Sequence, residues 1–167
     1  LGHNRSVSEV VQAAIEEDAQ AISVSSYQGG HLEYFKYMRE MLDKNGRPDL
    51  KIFGGGGGVI VPKEIEELHN YGITRIYSTE DGFRMGLEGM ICDMLEKSDF
   101  ALDTWPTGME NRKILASDHL RFARALSIIE NNLQKLPSEI QKQVEEGKRT
   151  KETAVNKKPP LVLGVTG

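Results

Sequence analysis

The feature that most constrains the fold of this chain is a regular alternation of helical and extended patterns between residues 6 and 97. The helical stretches repeat apolar residues at intervals of three and four, and the short extended stretches between them are rich in apolar residues. Strands that alternate with helices in this way become parallel neighbours joined by crossover helices. The alternation therefore predicts an α/β fold built on a parallel sheet.

The boundaries of the individual elements follow from local signals. Strands are predicted at residues 21–25, 51–53 and 74–77. Helices are predicted after the Ser6 capping box, after a pair of glycines at 29–30, from Pro62, and over residues 81–97. In the last helix we expect the apolar side chains to face the core, namely Phe83, Leu87, Met90, Ile91, Met94 and Leu95. The single cysteine, Cys92, lies in the same run and is predicted to be a buried, inert thiol.

The pattern changes after residue 98. A loop is predicted over residues 99–113, followed by a helix with Phe122, Leu126, Ile129 and Leu133 as its buried stripe, and by a second helical piece at 138–146. Residues 147–160 are rich in lysine and lack apolar periodicity, which is typical of a linker. We therefore divide the chain into a main domain (1–98), a helical linker (99–158) and the first strand of a further domain (159–167).

Composition excludes several classes of function. The formal net charge is −4, and no concentrated basic face is visible before residue 148, which argues against nucleic acid as a partner. No apolar run reaches the roughly 20 residues that span a bilayer, and no signal peptide is visible, so a cytoplasmic location without membrane contact is predicted. The four histidines match no zinc-site spacing and no catalytic triad, so we predict no metal ligand and no catalytic residue.

Five consecutive glycines, residues 54–58, follow the second predicted strand. Ligands of open parallel sheets bind at the carboxyl ends of the strands, which here are the loops at 25–30, 54–61 and 78–82. A glycine run costs conformational entropy, so we predict that it lets the backbone approach something flat or bulky. A flexible turn remains an alternative. A phosphate-binding loop is another, although no Lys-Ser or Lys-Thr follows the glycines. The acidic residues of the third loop could simply cap the next helix.

Two of these loops resemble the cobalamin-binding domains of the methylmalonyl-CoA mutase class, whose signatures are D-x-H-x-x-G, S-x-L and G-G. Ser25-Ser26-Tyr27 resembles S-x-L with tyrosine in place of leucine, and Gly57-Gly58 followed by Val59-Ile60 resembles G-G. The resemblance implies a Rossmann/flavodoxin-like parallel sheet whose first strand is missing from these residues. It also implies that the cobalt-ligating histidine of the first signature lies before Leu1.

The residues around both motifs most resemble those of the fused isobutyryl-CoA mutases. In these proteins the cobalamin domain precedes a GTPase chaperone domain and a substrate barrel. Residues 159–167 resemble the strand that leads into a P-loop. The resemblance implies adenosylcobalamin as cofactor, with GTP and Mg²⁺ belonging to the domain that follows. It further implies radical isomerisation of an acyl-CoA such as isobutyryl-CoA or butyryl-CoA in a homodimer. The partners implied are the acyl-CoA substrate domain and the GTPase chaperone domain of the same polypeptide. By itself this excerpt is not expected to be a catalyst.

Family membership also implies roles for individual residues. Cobalamin would bind base-off, with its nucleotide tail in a slot where Ser25 hydrogen-bonds the base and Tyr27 lines the wall. Gly57 and Gly58 would let the backbone lie against the ring. The loop from Ser78 to Gly82 would close around the sugar-phosphate end, and Gly29 and Val59 complete the set of expected cofactor-binding residues.

Two other classes of function share the architecture. One is a receiver or flavodoxin-like signalling domain. A receiver needs an aspartate at a strand end, and none stands at the ends of the predicted strands, but the strand expected before Leu1 leaves this alternative open. A nucleotide-binding module could use the glycine run, and it predicts saturable nucleotide binding and indifference to cobalamin.

Overall fold

The computed structural model describes residues 1–27, 29–105, 114–115 and 117–153, without the side chains of 132, 133 and 148–153. The strands in this part of the chain are β1 (Ala21–Ser25), β2 (Lys51–Gly55) and β3 (Arg75–Tyr77). The helices are α1 (Val7–Glu16), α2 (His31–Lys44), α3 (Pro62–Tyr71), α4 (Thr79–Ser98), α5 (His119–Asn132) and α6 (Ser138–Thr153), with a short 3-10 helix (Leu133–Lys135) before α6.

The three strands form one parallel sheet in the order β1-β2-β3. This confirms the predicted α/β, Rossmann/flavodoxin-like class. Because all three strands run in the same direction, their carboxyl ends lie together at one edge of the sheet. Within the described residues β1 pairs only with β2, so its other edge is open. The expectation that another strand precedes Leu1 stays a prediction.

The helix ends follow the local signals in the sequence. Ser6 and Glu9 form the predicted capping box of α1, in which the Ser6 hydroxyl accepts a hydrogen bond from the Glu9 amide. Pro62 occupies the first turn of α3. Gly72 ends that helix in the left-handed conformation, with φ +103°, which a side chain would make costly.

The main core lies between the sheet and helices α1, α2 and α3. Its most deeply buried side chains come from α2, β2 and α3 and include Phe35, Met38, Leu42, Ile52 and Leu68. Phe35, Met38 and Leu42 recur at intervals of three and four along α2 and form its inner face. This core fixes the two helices whose first turns stand beside the candidate site.

The prediction for the apolar face of α4 is wrong. Phe83 is 93% exposed and Leu87 is 72% exposed, and Cys92, predicted to be buried, is exposed. Gly86 interrupts the helix with φ +66° and ψ 177°, so the apolar residues before and after it do not share one regular face. The sheet that α4 could cover has only three strands in the described part of the chain, which leaves this face without a partner there.

The buried face of α5 is also not the predicted one. Phe122 and Leu126, expected to point inward, are about half exposed, and Ile129 is 37% exposed. The opposite face is buried instead, with Ala123, Ala125 and Ile128 alongside two arginines, Arg121 and Arg124. The prediction from apolar periodicity was wrong because Arg124 is paired with a buried carboxylate, Asp18. A pattern of apolar residues does not indicate such an ion pair.

Helix α6 continues to Thr153, beyond the predicted end at residue 146. The predicted linker at 147–160 therefore begins as helix, which agrees with the high helix propensity of the lysine, arginine and glutamate residues in it. The expected strand at 159–167 lies outside the described residues. None of the helices in the part that the structure describes combines the length and apolar character needed to cross a bilayer.

Candidate cofactor-binding site

The two loops that carry the expected site leave neighbouring strands at the same edge of the sheet. Ser25, the last residue of β1, is in register with Gly55, the last residue of β2. The backbone amide of Ser26 donates a hydrogen bond of 2.8 Å to the Gly55 carbonyl. The first loop (residues 26–30) and the glycine loop (residues 56–61) therefore start side by side.

The tips of these loops touch. A β-carbon built on Gly57 would lie 3.1 Å from Cε1 of Tyr27, so the tyrosine ring stands against the glycine loop. A β-carbon on Gly58 would lie 3.5 Å from Cγ2 of Thr79, at the start of α4. Tyr27 is 70% exposed and Val59 is 41% exposed. The structure thus brings Tyr27, Gly57 and Gly58 together, with apolar surface open to solvent beside them.

The five glycines serve different purposes. A β-carbon on Gly54 would come within 2.4 Å of Phe35 and 2.7 Å of Ile76, and one on Gly56 within 2.2 Å of the Ser26 carbonyl oxygen. These two positions exclude side chains because of the protein's own packing, which corrects the prediction that the whole run serves a ligand. Gly57 and Gly58, with φ of +57° and +92°, are the positions that face outward without side chains.

The third expected loop is largely the first turn of α4. The Ser78 hydroxyl accepts a hydrogen bond of 3.1 Å from the Asp81 amide, and the Asp81 carboxylate accepts one of 3.1 Å from the Ser78 amide. Burial raises the pKa of Asp81, but the hydrogen bonds from Ser78 and the charge of Arg75 outweigh it and hold that pKa below its usual range. The capping alternative is therefore what the structure shows. Gly82 lies inside the helix, with open space where a side chain would be.

An open cavity of about 940 Å³ runs along the free edge of β1. It is bordered by residues 1–5, by α1, by β1 and by the first loop, and its described lining includes Ser25, Tyr27 and Gly29. Among the described residues, none from the glycine loop lines the cavity. Tyr27 lines the cavity and also contacts Gly57, so its ring lies between the two. The exposed Ser25 side chain lies at the cavity's end nearest the loops.

A buried histidine, for which the sequence predicted neither a metal-binding nor a catalytic role, lies at this edge. His31 begins α2, its side chain is 8% exposed, and its Nε2 lies 3.0 Å from Oε2 of Glu64 in α3. The Val61 amide and the His31 imidazole both donate toward Glu64, and these bonds lower the pKa of its carboxyl group. The available signal was a histidine placed directly after a glycine pair at a helix start.

The described residues contain no group of three or more His, Cys, Asp or Glu side chains placed to hold a metal ion. His69, in α3, accepts a hydrogen bond of 2.9 Å on Nε2 from the Ile76 amide, and burial lowers its pKa. Because it accepts this bond, Nε2 carries no proton here, and the ring helps to fix β3. The arrangement can hold a flat ligand against backbone and an aromatic ring, but it assembles no catalytic or metal-binding cluster within the described residues.

The sequence of the chain is similar to those of several known proteins. The family model of the B12 binding domain matches residues 1–84. The chain is 49% identical over all its 167 residues to a fused isobutyryl-CoA mutase of Geobacillus kaustophilus, of which it covers 15%. It is 54% identical over 132 residues (78% of the chain) to a fused isobutyryl-CoA mutase of Cupriavidus metallidurans, of which it covers 12%.

A more distant relative is the methylmalonyl-CoA mutase large subunit of Propionibacterium freudenreichii, which is 41% identical over 70 residues. That match takes in 42% of this chain and 9% of the relative. The chain thus spans only a small fraction of the length of each of these relatives. Because the family model covers half of the chain, including both loops of the candidate site, this chain belongs to the B12 binding domain family.

Proposed function

We propose that this chain binds adenosylcobalamin as one part of an acyl-CoA mutase, an isomerase that rearranges the carbon skeleton of a substrate such as isobutyryl-CoA or butyryl-CoA. The observation that carries the proposal is the contact of Tyr27 with Gly57 at the carboxyl ends of two neighbouring strands, in a chain of the B12 binding domain family. The similarity of the chain to two fused isobutyryl-CoA mutases supports the choice of substrate class.

The residues present fit the nucleotide tail of a base-off cobalamin. A flat aromatic base needs apolar walls that approach closely, and its ring nitrogen needs a hydrogen-bonding partner. Tyr27 and Val59 offer exposed apolar surface, and Gly57 and Gly58 offer bare backbone. Ser25 places an exposed hydroxyl at the end of β1. In this proposal Gly29 lines the mouth of the slot, and the helix start at Ser78 and Gly82 borders its sugar-phosphate end.

The bound cofactor would supply radical chemistry through homolysis of its cobalt–carbon bond. The chain's own residues would bind and orient it, and we assign them neither a catalytic role nor the ligation of cobalt. We retain a cobalamin-binding unit at 1–98, a helical connection at 99–158 and the start of a GTPase chaperone domain at 159–167 as proposals. GTP and Mg²⁺ would bind in that following domain. A cytoplasmic homodimer carrying the acyl-CoA substrate domain completes the proposal.

The direct test is to mix the intact natural polypeptide with hydroxocobalamin and with adenosylcobalamin. We expect the cofactor to be retained on gel filtration and its visible spectrum to change. Replacing Gly57 with valine should weaken retention strongly while the fold is kept, because the side chain would fill the space beside Tyr27. Indifference of the parent to both cobalamins would overturn the proposal. A nucleotide-binding module instead predicts that Gly57→Val alters nucleotide binding and leaves cobalamin unaffected.

A further inference from the structure

In the part of the chain that the structure describes, three side-chain bridges join α2 to α3, and they lie at successive turns of the two helices. His31 pairs with Glu64, Lys36 pairs with Glu67, and the Tyr71 hydroxyl donates a hydrogen bond of 2.6 Å to Glu40. Only the His31–Glu64 bridge lies at the first turns of both helices, where the first loop ends and the glycine loop ends. The other two lie progressively farther from the candidate site.

The His31–Glu64 bridge ties the two loops through one oxygen atom. Oε2 of Glu64 accepts a hydrogen bond of 3.0 Å from the amide of Val61, the last residue of the glycine loop. The same oxygen lies 3.0 Å from Nε2 of His31, the residue that follows the first loop. An ionised carboxylate can only accept, so the imidazole donates its Nε2–H here. The bridge therefore sets the distance between the ends of the two loops.

At the N-cap of α2, no side chain anchors the end of the first loop. Gly30 is the N-cap of α2, has φ +86°, and contributes no side-chain cap. Farther from the sheet edge, the core residues Phe35 and Leu68 are fully buried and hold α2 and α3 in place. Removing the bridge would thus free the loops more than it would disturb the packing of the helices.

We propose that His31 and Glu64 are positioning residues for the cobalamin slot: their hydrogen bond fixes the spacing between the loop that carries Tyr27 and the loop that carries Gly57. The inference rests on the proposed function. A slot for a flat ring works only when its two walls are held at one separation before the ligand arrives, because ordering a loose loop on binding subtracts from affinity. Neither residue needs to contact the cofactor.

The test measures cobalamin binding to the intact polypeptide for four variants. His31→Ala and Glu64→Ala remove one side of the bridge each. Glu64→Gln keeps an oxygen that can accept from both the Val61 amide and the imidazole. Glu67→Ala is the matched control, because it breaks the neighbouring bridge between the same helices without touching a loop end. We expect the Kd for hydroxocobalamin to rise about tenfold in the two alanine variants, and to stay within about twofold of the parent in Glu64→Gln and Glu67→Ala.

The outcomes separate this inference from the proposed function. If the parent protein does not bind cobalamin, the proposed function itself is overturned. A parent that binds, with His31→Ala and Glu64→Ala both within twofold of it, overturns the positioning role alone. Equal weakening in Glu67→Ala also overturns it, since any loosening of α2 against α3 would then suffice. If an alanine variant does not fold, His31→Phe keeps the ring volume but lacks the donor, and the same loss of affinity is expected of it.

Discussion

The carboxylate of Asp18 accepts two hydrogen bonds from the guanidinium of Arg124, which lies 106 residues later in the chain. The distances are 2.8 Å from Nε to Oδ2 and 3.1 Å from Nη2 to Oδ1. The Asp18 side chain is 2% exposed and that of Arg124 is 7% exposed. Asp18 also accepts from Arg47 at 3.0 Å and from the Ser127 hydroxyl at 2.8 Å. Helix α5 is thereby anchored beside the start of β1, at the end of the sheet opposite the candidate site.

Removing the Asp18 carboxylate should destabilise the chain strongly. Asp18→Ala leaves Arg47 and Arg124 buried without their shared acceptor, and breaking a buried charged network in this way costs about 3–5 kcal/mol. We expect this loss in the free energy of unfolding of residues 1–167, measured by urea denaturation. Amide hydrogen exchange should also accelerate in α5 more than in α2, because the network is the main polar attachment of α5 that the structure shows.

Glu16→Ala is the matched control for that experiment. Glu16 lies 3.4 Å from Nδ1 of His119, so it also joins α1 to α5, but both side chains are about half exposed. An exposed pair of this kind contributes less than about 1 kcal/mol. Similar losses in the two variants would show that burial of the Asp18 network adds nothing to the attachment of α5.

The glycine run offers a test of which positions the fold itself requires. A β-carbon at Gly56 would collide with the Ser26 carbonyl oxygen at 2.2 Å, whereas one at Gly55 would meet the Tyr77 carbonyl oxygen at an ordinary 3.5 Å. Gly56→Ala should therefore push the first loop away from the glycine loop and raise the Kd for cobalamin at least about tenfold, with about 1–3 kcal/mol lost in stability. Equilibrium dialysis of the intact polypeptide with hydroxocobalamin measures the affinity.

Gly55→Ala is expected to keep the affinity within about twofold of the parent, since an alanine fits at ordinary contact distance. If the two alanine variants bound cobalamin equally well, the close approach of Gly56 to Ser26 would not matter for the slot.

The sequence predicted those parts of the fold that depend on local signals. The Ser6 capping box and the Pro62 helix start have their causes within a few neighbouring residues, and both are found where expected. The two loops of the candidate site were predicted for two reasons. They follow the carboxyl ends of parallel strands, and they contain Ser25 and Gly57, which belong to segments that resemble known motifs.

The errors lie where distant residues decide the outcome. Periodicity placed Phe122 inside, but α5 turns its arginine-bearing face inward because Asp18, far away in sequence, compensates the charge of Arg124. Gly54 looked like a ligand-facing glycine, but Phe35 and Ile76 occupy the space beside it. Local sequence patterns do not identify partners that are distant along the chain. Packing contacts and ion pairs across the fold could therefore not be predicted from them.

The cap of α4 predicts a specific pH dependence. Asp81 has a lowered pKa because hydrogen bonds from Ser78 and the charge of Arg75, 2.9 Å away, outweigh its burial. A group whose folded pKa is depressed contributes stability fully above its unfolded pKa of about 4 and loses it as the pH falls through the folded value. Asp81→Asn should therefore cost about 1 kcal/mol at neutral pH, and this difference should shrink below about pH 4.

Urea denaturation of residues 1–167 at several pH values measures this difference. Glu80→Gln changes an exposed carboxylate in the same first turn and is the control, for which a smaller difference is expected. A penalty for Asp81→Asn that stays constant down to acidic pH would mean that the charge of Asp81 plays no part in the cap.

Cys92 allows the exposed face of α4 to be measured directly. It is the only cysteine among the 167 residues and is exposed, in a helix whose Phe83 and Leu87 also face solvent. An exposed thiol reacts through its thiolate without any opening of the fold, so native residues 1–167 should take up one iodoacetamide adduct at about the rate of an unstructured cysteine peptide. Mass spectrometry detects the adduct. Labelling that proceeds only in urea would show that the face is covered and that α4 packs differently.

The same labelling in the intact polypeptide reports on what lies against α4 there. Exposing apolar side chains as large as Phe83 and Leu87 to water is unfavourable in free energy. Contact with a neighbouring part of a larger assembly would bury them and remove this penalty. A rate at least about tenfold lower at Cys92 than in residues 1–167 alone, read from the peptide that contains it, would place α4 at an internal interface. An unchanged rate would leave the helix facing solvent, and its apolar residues would then have to be explained by a partner outside the polypeptide.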